Sequence, residues 1–174
     1  NIIMGNDSTA YYCPGENVSL VGYGQNIVSW SWYLKGDVPP TVGTSSLPAD
    51  KTLNLPSVVS DTTWYFRGFT ADAIPYFADQ EFKIRKRPDY TFTLDKTSVG
   101  ACQNEVTTIT ATKSIAAAPD ATYTWTGLAG TPNVLTNIFT LNTTTAGSGT
   151  INVEAQATGY CNTNINIPYT ISNL

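Results

Sequence analysis

The sequence predicts an all-β chain of two tandem β-sandwiches, and three observations predict it. Apolar residues recur with period two in many short runs. Turn residues punctuate the chain at short intervals. A set of motifs also occurs twice, about 90 residues apart.

The period comes first. In IVSWSWYL, Trp30, Trp32 and Leu34 alternate with Ser29, Ser31 and Tyr33. The same alternation runs through Trp64 and Phe66, Phe82 and Ile84, Tyr90, Phe92 and Leu94, Tyr123 and Trp125, and Ile151, Val153 and Ala155. Period two places one set inward and its neighbours outward on a strand. On that reading Tyr33, Tyr65, Arg67 and Phe69 point outward. β-branched and aromatic residues fill these runs, as pleated half-buried surfaces favour. No window carries a helical i, i+3, i+4, i+7 stripe; Ile115–Ala118 is helix-friendly but short, and Pro119 closes it. Pro14-Gly15, Gly22–Gly24, Gly36-Asp37, Pro39-Pro40, Gly127 and Gly147–Gly149 supply the turns.

The repeat comes next. CPGENVSL (13–20) falls on CQNEVTTI (102–109) at an offset of 89, and SWSW (29–32) falls on TYTW (122–125) at 93. TLNLPSVVSDTTWYF (52–66) falls on FTLNTTTAGSGTINV (139–153) at 86 or 87. The offset of 87 is preferred, because it turns Trp64, Phe66, Ile151 and Val153 inward and leaves Arg67 toward water. The order of Cys, strand, tryptophan strand, strand, turn, strand thus occurs twice, and the break falls near Arg87-Pro88-Asp89. Two domains follow, 1–88 and 89–174, with Trp32 and Trp125 as matched core tryptophans.

Composition bounds the function. Charged residues are only 13% of the 174, and Thr, Ser and Asn take their place, a surface common in secreted β-proteins. A net charge of −4 and a pI near 4.6 give no general attraction to nucleic acid or anionic lipid. No segment approaches the ~20 apolar residues of a membrane span, so direct membrane insertion is not expected. The chain starts at Asn1 without a charged-then-apolar leader and reads as a mature or excised piece. There is no histidine, which removes Ser-His-Asp and Cys-His nucleophile systems and His-based zinc sites. Three scattered cysteines are too few for an all-thiolate zinc site. GYG (22–24) and GSG (147–149) read as turn glycines. Asp72 with Asp79 or Glu81, and Asp61 with Asp37, are carboxylate pairs of the glycosidase type, yet each reads more simply as a solvated or turn carboxylate. A structural Ca²⁺ site is not favoured by the basic junction, and the chain is expected to be non-catalytic and free of cofactor and metal.

Three cysteines leave at least one outside any bridge within the chain. Cys161 and Cys102 flank the second unit in places that can lie at one end of a sandwich. A bridge between them closes about 60 residues and stabilises by ~3–4 kcal/mol. Cys13 is then the unpaired thiol. It is read as a half-buried plug, with a bridge to another chain or an upstream segment, or a catalytic thiol, as alternatives.

The KIRKR run (83–87) holds four of the nine cations. It reads as edge-strand protection, with contact to an anionic polysaccharide or phosphate as the other reading. Tyr33, Tyr65, Tyr76 and Phe77 form the candidate aromatic patch, either a ligand platform or a packing surface between domains. Ser8 and Thr62 stand in Asp-Ser-Thr and Asp-Thr-Thr triplets, and Asn6, Asn17 and Asn142 open N-x-Ser/Thr sequons.

The pattern Cys-Pro-Gly-Glu-x-Val-x-Leu, then Tyr/Trp-x-Trp, then Gly-Thr-φ-x-Val, then Gly-x-Cys resembles the immunoglobulin-like or PKD-like repeats of large secreted proteins of Bacteroidetes-type bacteria. The resemblance covers nearly the whole chain, twice. It implies an extracellular, cell-surface repeat pair with an adhesive or spacer role, of the adhesin, gliding-motility and type IX secretion cargo kind. Neighbouring repeats are the implied partners, with a surface glycan or the secretion and motility machinery beyond them. The triplets at Ser8 and Thr62 resemble the O-glycosylation acceptors of those bacteria. The rival reading is a carbohydrate-binding accessory module of a secreted glycan-degrading enzyme.

Overall fold

The structure is a computed structural model, and it describes residues 2–72, 77–127 and 137–173. The chain divides into two units, Asn1–Arg87 and Pro88–Leu174. Each is an immunoglobulin-like β-sandwich, and among the described residues there is no α-helix.

The first unit contains β1 (Ile3–Met4), β2 (Ser8–Tyr12), β3 (Glu16–Val21), β4 (Gly24–Gln25), β5 (Ser29–Leu34), β6 (Thr52–Val58), β7 (Thr62–Phe69) and β8 (Phe77–Lys86). The main sheet runs β2-β8-β7-β5, facing β3 paired with β6, and β1 pairs with β4. The second unit contains β9 (Phe92–Leu94), β10 (Val99–Cys102), β11 (Thr107–Lys113), β12 (Thr122–Thr126), β13 (Ile138–Leu141), β14 (Gly147–Gln156) and β15 (Thr163–Ser172). Its sheets run β10-β15-β14-β12 and β13-β11-β9.

Alternation builds both cores. Tyr12, Val18, Leu20, Trp30, Phe66, Phe82 and Ile84 fill the first, and Ile109, Trp125, Phe139, Ile151, Val153 and Ile167 stand among those that fill the second. Trp125 is 1% exposed and stacks on Phe139 at 5.1 Å. Trp32 packs between Phe66 and Phe82 at 5.1 and 5.2 Å, but it is only half-buried, and its indole Nε1 donates to the carbonyl of Asp50. Trp30 is the deeper tryptophan of the first unit.

The repeat is visible in register. Trp32 faces Phe66 across β5 and β7, and Trp125 faces Val153 across β12 and β14. The offsets of 93 and 87 therefore describe one architecture. The turn after β2 recurs after β10. The Cys13 amide donates to the Glu16 carboxylate at 2.8 Å, and the Cys102 amide to that of Glu105 at 2.9 Å. Gly15 and Asn104 hold the left-handed position of this turn, at φ 90° and 63°.

In both units the first strand of the main sheet lies parallel to the last. β2 pairs with β8, and β10 pairs with β15. This geometry corrects two sequence expectations. First, β8 is not an edge strand, because β2 covers its outer side. Lys83 is exposed and pairs with Glu81 at 3.0 Å, while Arg85 is half-buried and donates to the carbonyls of Thr62 and Ile84. Second, a Cys102–Cys161 bridge does not form. Cys102 is an exposed free thiol, whereas Cys13 and Cys161 are both half-cystines. Cys102 sits beside Ser172 at the far end of β15, and Cys161 precedes the near end. Ten residues at about 3.3 Å each separate those ends, and a disulfide spans no more than about 7 Å between Cα atoms. Cys13 is accordingly neither a free plug nor a reactive thiol. It follows β2, with the Arg87 guanidinium near its Sγ at 3.8 Å. The repeat offsets of 87 and 86 carry Cys161 onto Ile74 and Pro75, which lie outside the described residues.

Candidate functional site

The outward face of β5, β7 and β8 carries the aromatic patch expected from the sequence. Register sets its rows. Tyr33 faces Tyr65, which faces Glu81; Ser31 faces Arg67, which faces Asp79; Ser29 faces Phe69, which faces Phe77. Tyr33 and Tyr65 are brought together, their rings stacked at 5.1 Å and 22°. Phe77 is 55% exposed and is the outermost ring. Tyr76 lies outside the described residues.

Arg67 organises the face. It was expected to point to water, and instead it is 7% exposed. It does point away from the core, but neighbours cover it. Its Nε and Nη2 donate to the two oxygens of Asp79, each at 2.7 Å. Nη2 also donates to the Tyr33 hydroxyl, and Nη1 to the carbonyl of Pro40. Phe77 lies 4.0 Å from the guanidinium carbon, a cation–π contact. The planar fork of arginine suits this bidentate grip. Phe69 was likewise read as outward, but it is 1% exposed with Phe77 near it.

The electrostatics follow from these partners. The hydrogen bond to Asp79 pushes the Arg67 guanidinium above its ordinary range. Burial, and then the charge of Asp79, raise the Tyr33 hydroxyl. The Tyr65 hydroxyl donates to Glu81 at 2.9 Å, and this bond raises it. Lys83 first, and Tyr65 second, hold the Glu81 carboxyl below its ordinary value. The polar groups of the face thus serve one another.

The remaining candidates are placed as follows. Asp61 Oδ1 accepts from the Lys86 amide at 2.7 Å and from the Tyr12 hydroxyl at 3.3 Å. Asp7 Oδ1 accepts from the Glu81 amide at 2.7 Å. These two carboxylates tie β8 into the sheet. Ser8 is exposed on β2, and Thr62 is half-buried on β7. Asp72 accepts from the Thr70 hydroxyl. Among the described residues no three His, Cys, Asp or Glu side chains group as metal ligands would. Sequence reasoning named Arg67 as facing water and Asp79 as a solvated or turn carboxylate, and missed that the two pair. Their signal was the shared outward parity with Tyr33 and Tyr65, but the strand register that pairs them is a pairing between strands that parity alone does not carry.

The second unit holds a separate polar cavity of about 470 Å³, lined by Tyr90, Thr112, Lys113, Asp120, Tyr123 and Asn137. Lys113 Nζ donates to Asp120 Oδ1 and to the Ala118 carbonyl, each at 2.9 Å. The Tyr90 hydroxyl donates to the Pro119 carbonyl at 3.2 Å. Burial, with a hydrogen bond to Tyr90, pushes the Tyr123 hydroxyl up to about 12.

No protein-family model matches this chain, and no curated protein sequence matches it either. Solved structures do. The chain is similar to fibronectin(III)-like modules of Clostridium thermocellum CbhA, at 12% identity over 99% of this chain and 95% of that one, with a TM-score of 0.43. It is similar to the three N-terminal domains of the bacteriophage RB49 highly immunogenic outer capsid protein, at 12% identity and a TM-score of 0.49; it covers 55% of that chain with 92% of its own. It is similar to the first two immunoglobulin domains of DIP-gamma, at 11% identity over 99% and 98% of the two chains, with a TM-score of 0.40. These are likenesses of fold between chains of distant sequence.

Proposed function

We propose that this chain is a non-catalytic pair of extracellular repeats from a large bacterial surface or secreted protein, acting as adhesive or spacer modules. One observation carries the reading. The carboxylates that chemistry would require are committed to holding strands together: Asp79 to Arg67, Glu81 to Tyr65 and Lys83, and Asp61 to the β8 backbone. The half-cystines Cys13 and Cys161 support an oxidising, extracellular compartment. The resemblance of the CPGE, Trp and Gly-x-Cys motifs supports the adhesin, gliding or type IX cargo setting.

The test replaces the pair, within the parent protein, by two unrelated sandwiches of the same length. A spacer predicts full recovery of surface function. An adhesive role predicts loss of attachment, with the isolated chain competing for attachment sites. Release of reducing sugar from any polysaccharide by the purified chain overturns the non-catalytic reading.

A second reading, a carbohydrate-binding accessory module, is favoured by the exposed Phe77 ring, which lies across Arg67 from the Tyr33–Tyr65 stack. It predicts retardation in polysaccharide gels that Tyr65→Ala abolishes.

A further inference from the structure

We propose that the polar cavity of the second unit is a recognition site for a neutral, hydroxyl-rich ligand, the terminal sugar of a glycan. The inference rests on the adhesive form of the reading above and moves the contact away from the first unit's aromatic face.

Size is the first ground. About 470 Å³ falls within the range of small-ligand sites and accommodates one or two hexose rings. Charge is the second. Among the described lining residues one ammonium, Lys113, and one carboxylate, Asp120, pair across 2.9 Å, so together they favour neither an anion nor a cation. A pair of adjacent sugar hydroxyls matches it, since each hydroxyl both donates and accepts. Donor and acceptor capacity is the third. Two of the three ammonium donors go to Ala118 and Asp120. The Asp120 side chain is 95% exposed, so most of its acceptor sites face solvent. Thr112 and Asn137 also line it, and the Asn137 carboxamide donates to the Ala111 carbonyl.

The floor is rigid. Tyr90 is 1% and Tyr123 5% exposed. Tyr90 meets Tyr160 edge-on, and Tyr123 meets Phe92 in the same way. The bond from Tyr90 to Pro119 holds the segment that carries Asp120. Polar groups paired with one another above a packed floor suit a weak, selective sugar site. At the Tyr33–Tyr65 face, by contrast, both hydroxyls already serve Asp79 and Glu81.

The test is a ¹⁵N-¹H titration of the full chain with methyl glycosides of glucose, galactose, mannose and N-acetylglucosamine, and with glucuronic acid. The expected result is saturable shifts at Thr112, Lys113, Asp120 and Asn137 for at least one neutral glycoside. Asp120→Ala, at a side chain too exposed to matter for folding, should weaken that binding at least tenfold, and Lys113→Met should do the same. No shifts with any glycoside overturns the site. So do shifts that survive both substitutions, and so does a preference for glucuronic acid. Shifts confined to Tyr33, Tyr65 and Phe77 also overturn it, while leaving a glycan-binding reading of the first unit standing.

Discussion

Arg67 and Asp79 face each other across β7 and β8 and share two hydrogen bonds of 2.7 Å, with Phe77 laid over the guanidinium. The pair is asymmetric, because the Arg67 side chain is 9% exposed and that of Asp79 29%. Removing the carboxylate strands a covered cation. Asp79→Ala should therefore cost about 2–3 kcal/mol, less than the ~3–5 kcal/mol of a fully buried pair, because water reaches Asp79. Arg67→Met with Asp79→Ala should cost less than Asp79→Ala alone. Urea unfolding followed by tryptophan fluorescence checks both; equal costs would show that the pair is screened.

The thiol pattern is a direct chemical prediction. Alkylation of the denatured, unreduced chain should modify one cysteine, and peptide mapping should place it at Cys102. Cys13 and Cys161 should react only after reduction.

Close packing at Gly22 makes a third prediction. A Cβ there would lie 2.3 Å from the Phe66 ring, which is fully buried. Gly22→Ala should destabilise the first unit by about 1–3 kcal/mol, as overpacking does. The matching loss in the second unit is Trp125→Ala, which should cost about 3–5 kcal/mol. Calorimetry reads both as lowered transition temperatures.

Alkali should act on the second unit through Tyr123. Its hydroxyl titrates at about 12 in the fold, against 10.0 ordinarily. The folded state therefore holds its proton where the unfolded state has released it. The stability linked to this proton is complete below pH 10 and falls as pH rises toward 12. Absorbance at 295 nm should lose one late-titrating component in Tyr123→Phe, and that variant should lose less stability above pH 10.

Much of the fold was legible because period two is a local signal. Trp30, Phe66, Trp125, Ile151 and Val153 are buried where alternation put them, and the CPGE and CQNE turns share their hydrogen bonds. What local pattern does not carry is long-range pairing. The parallel arrival of β2 beside β8 and of β10 beside β15 depends on segments some 70 residues apart. Missing it led to the wrong cystine and to a false edge at Lys83 and Arg85. Arg67 was misplaced for a related reason. Parity gives the side of a sheet, but it does not tell whether a neighbouring loop, here Pro40, covers that side.

That parallel closure also orders events in time. Tyr12 pairs with Lys86, and Cys102 with Ser172, so neither sandwich completes its main sheet until its final strand has left the ribosome. β2 and β10 emerge some 70 residues ahead of the strands they pair with, and a chain cut short before β8 or β15 leaves them without that partner.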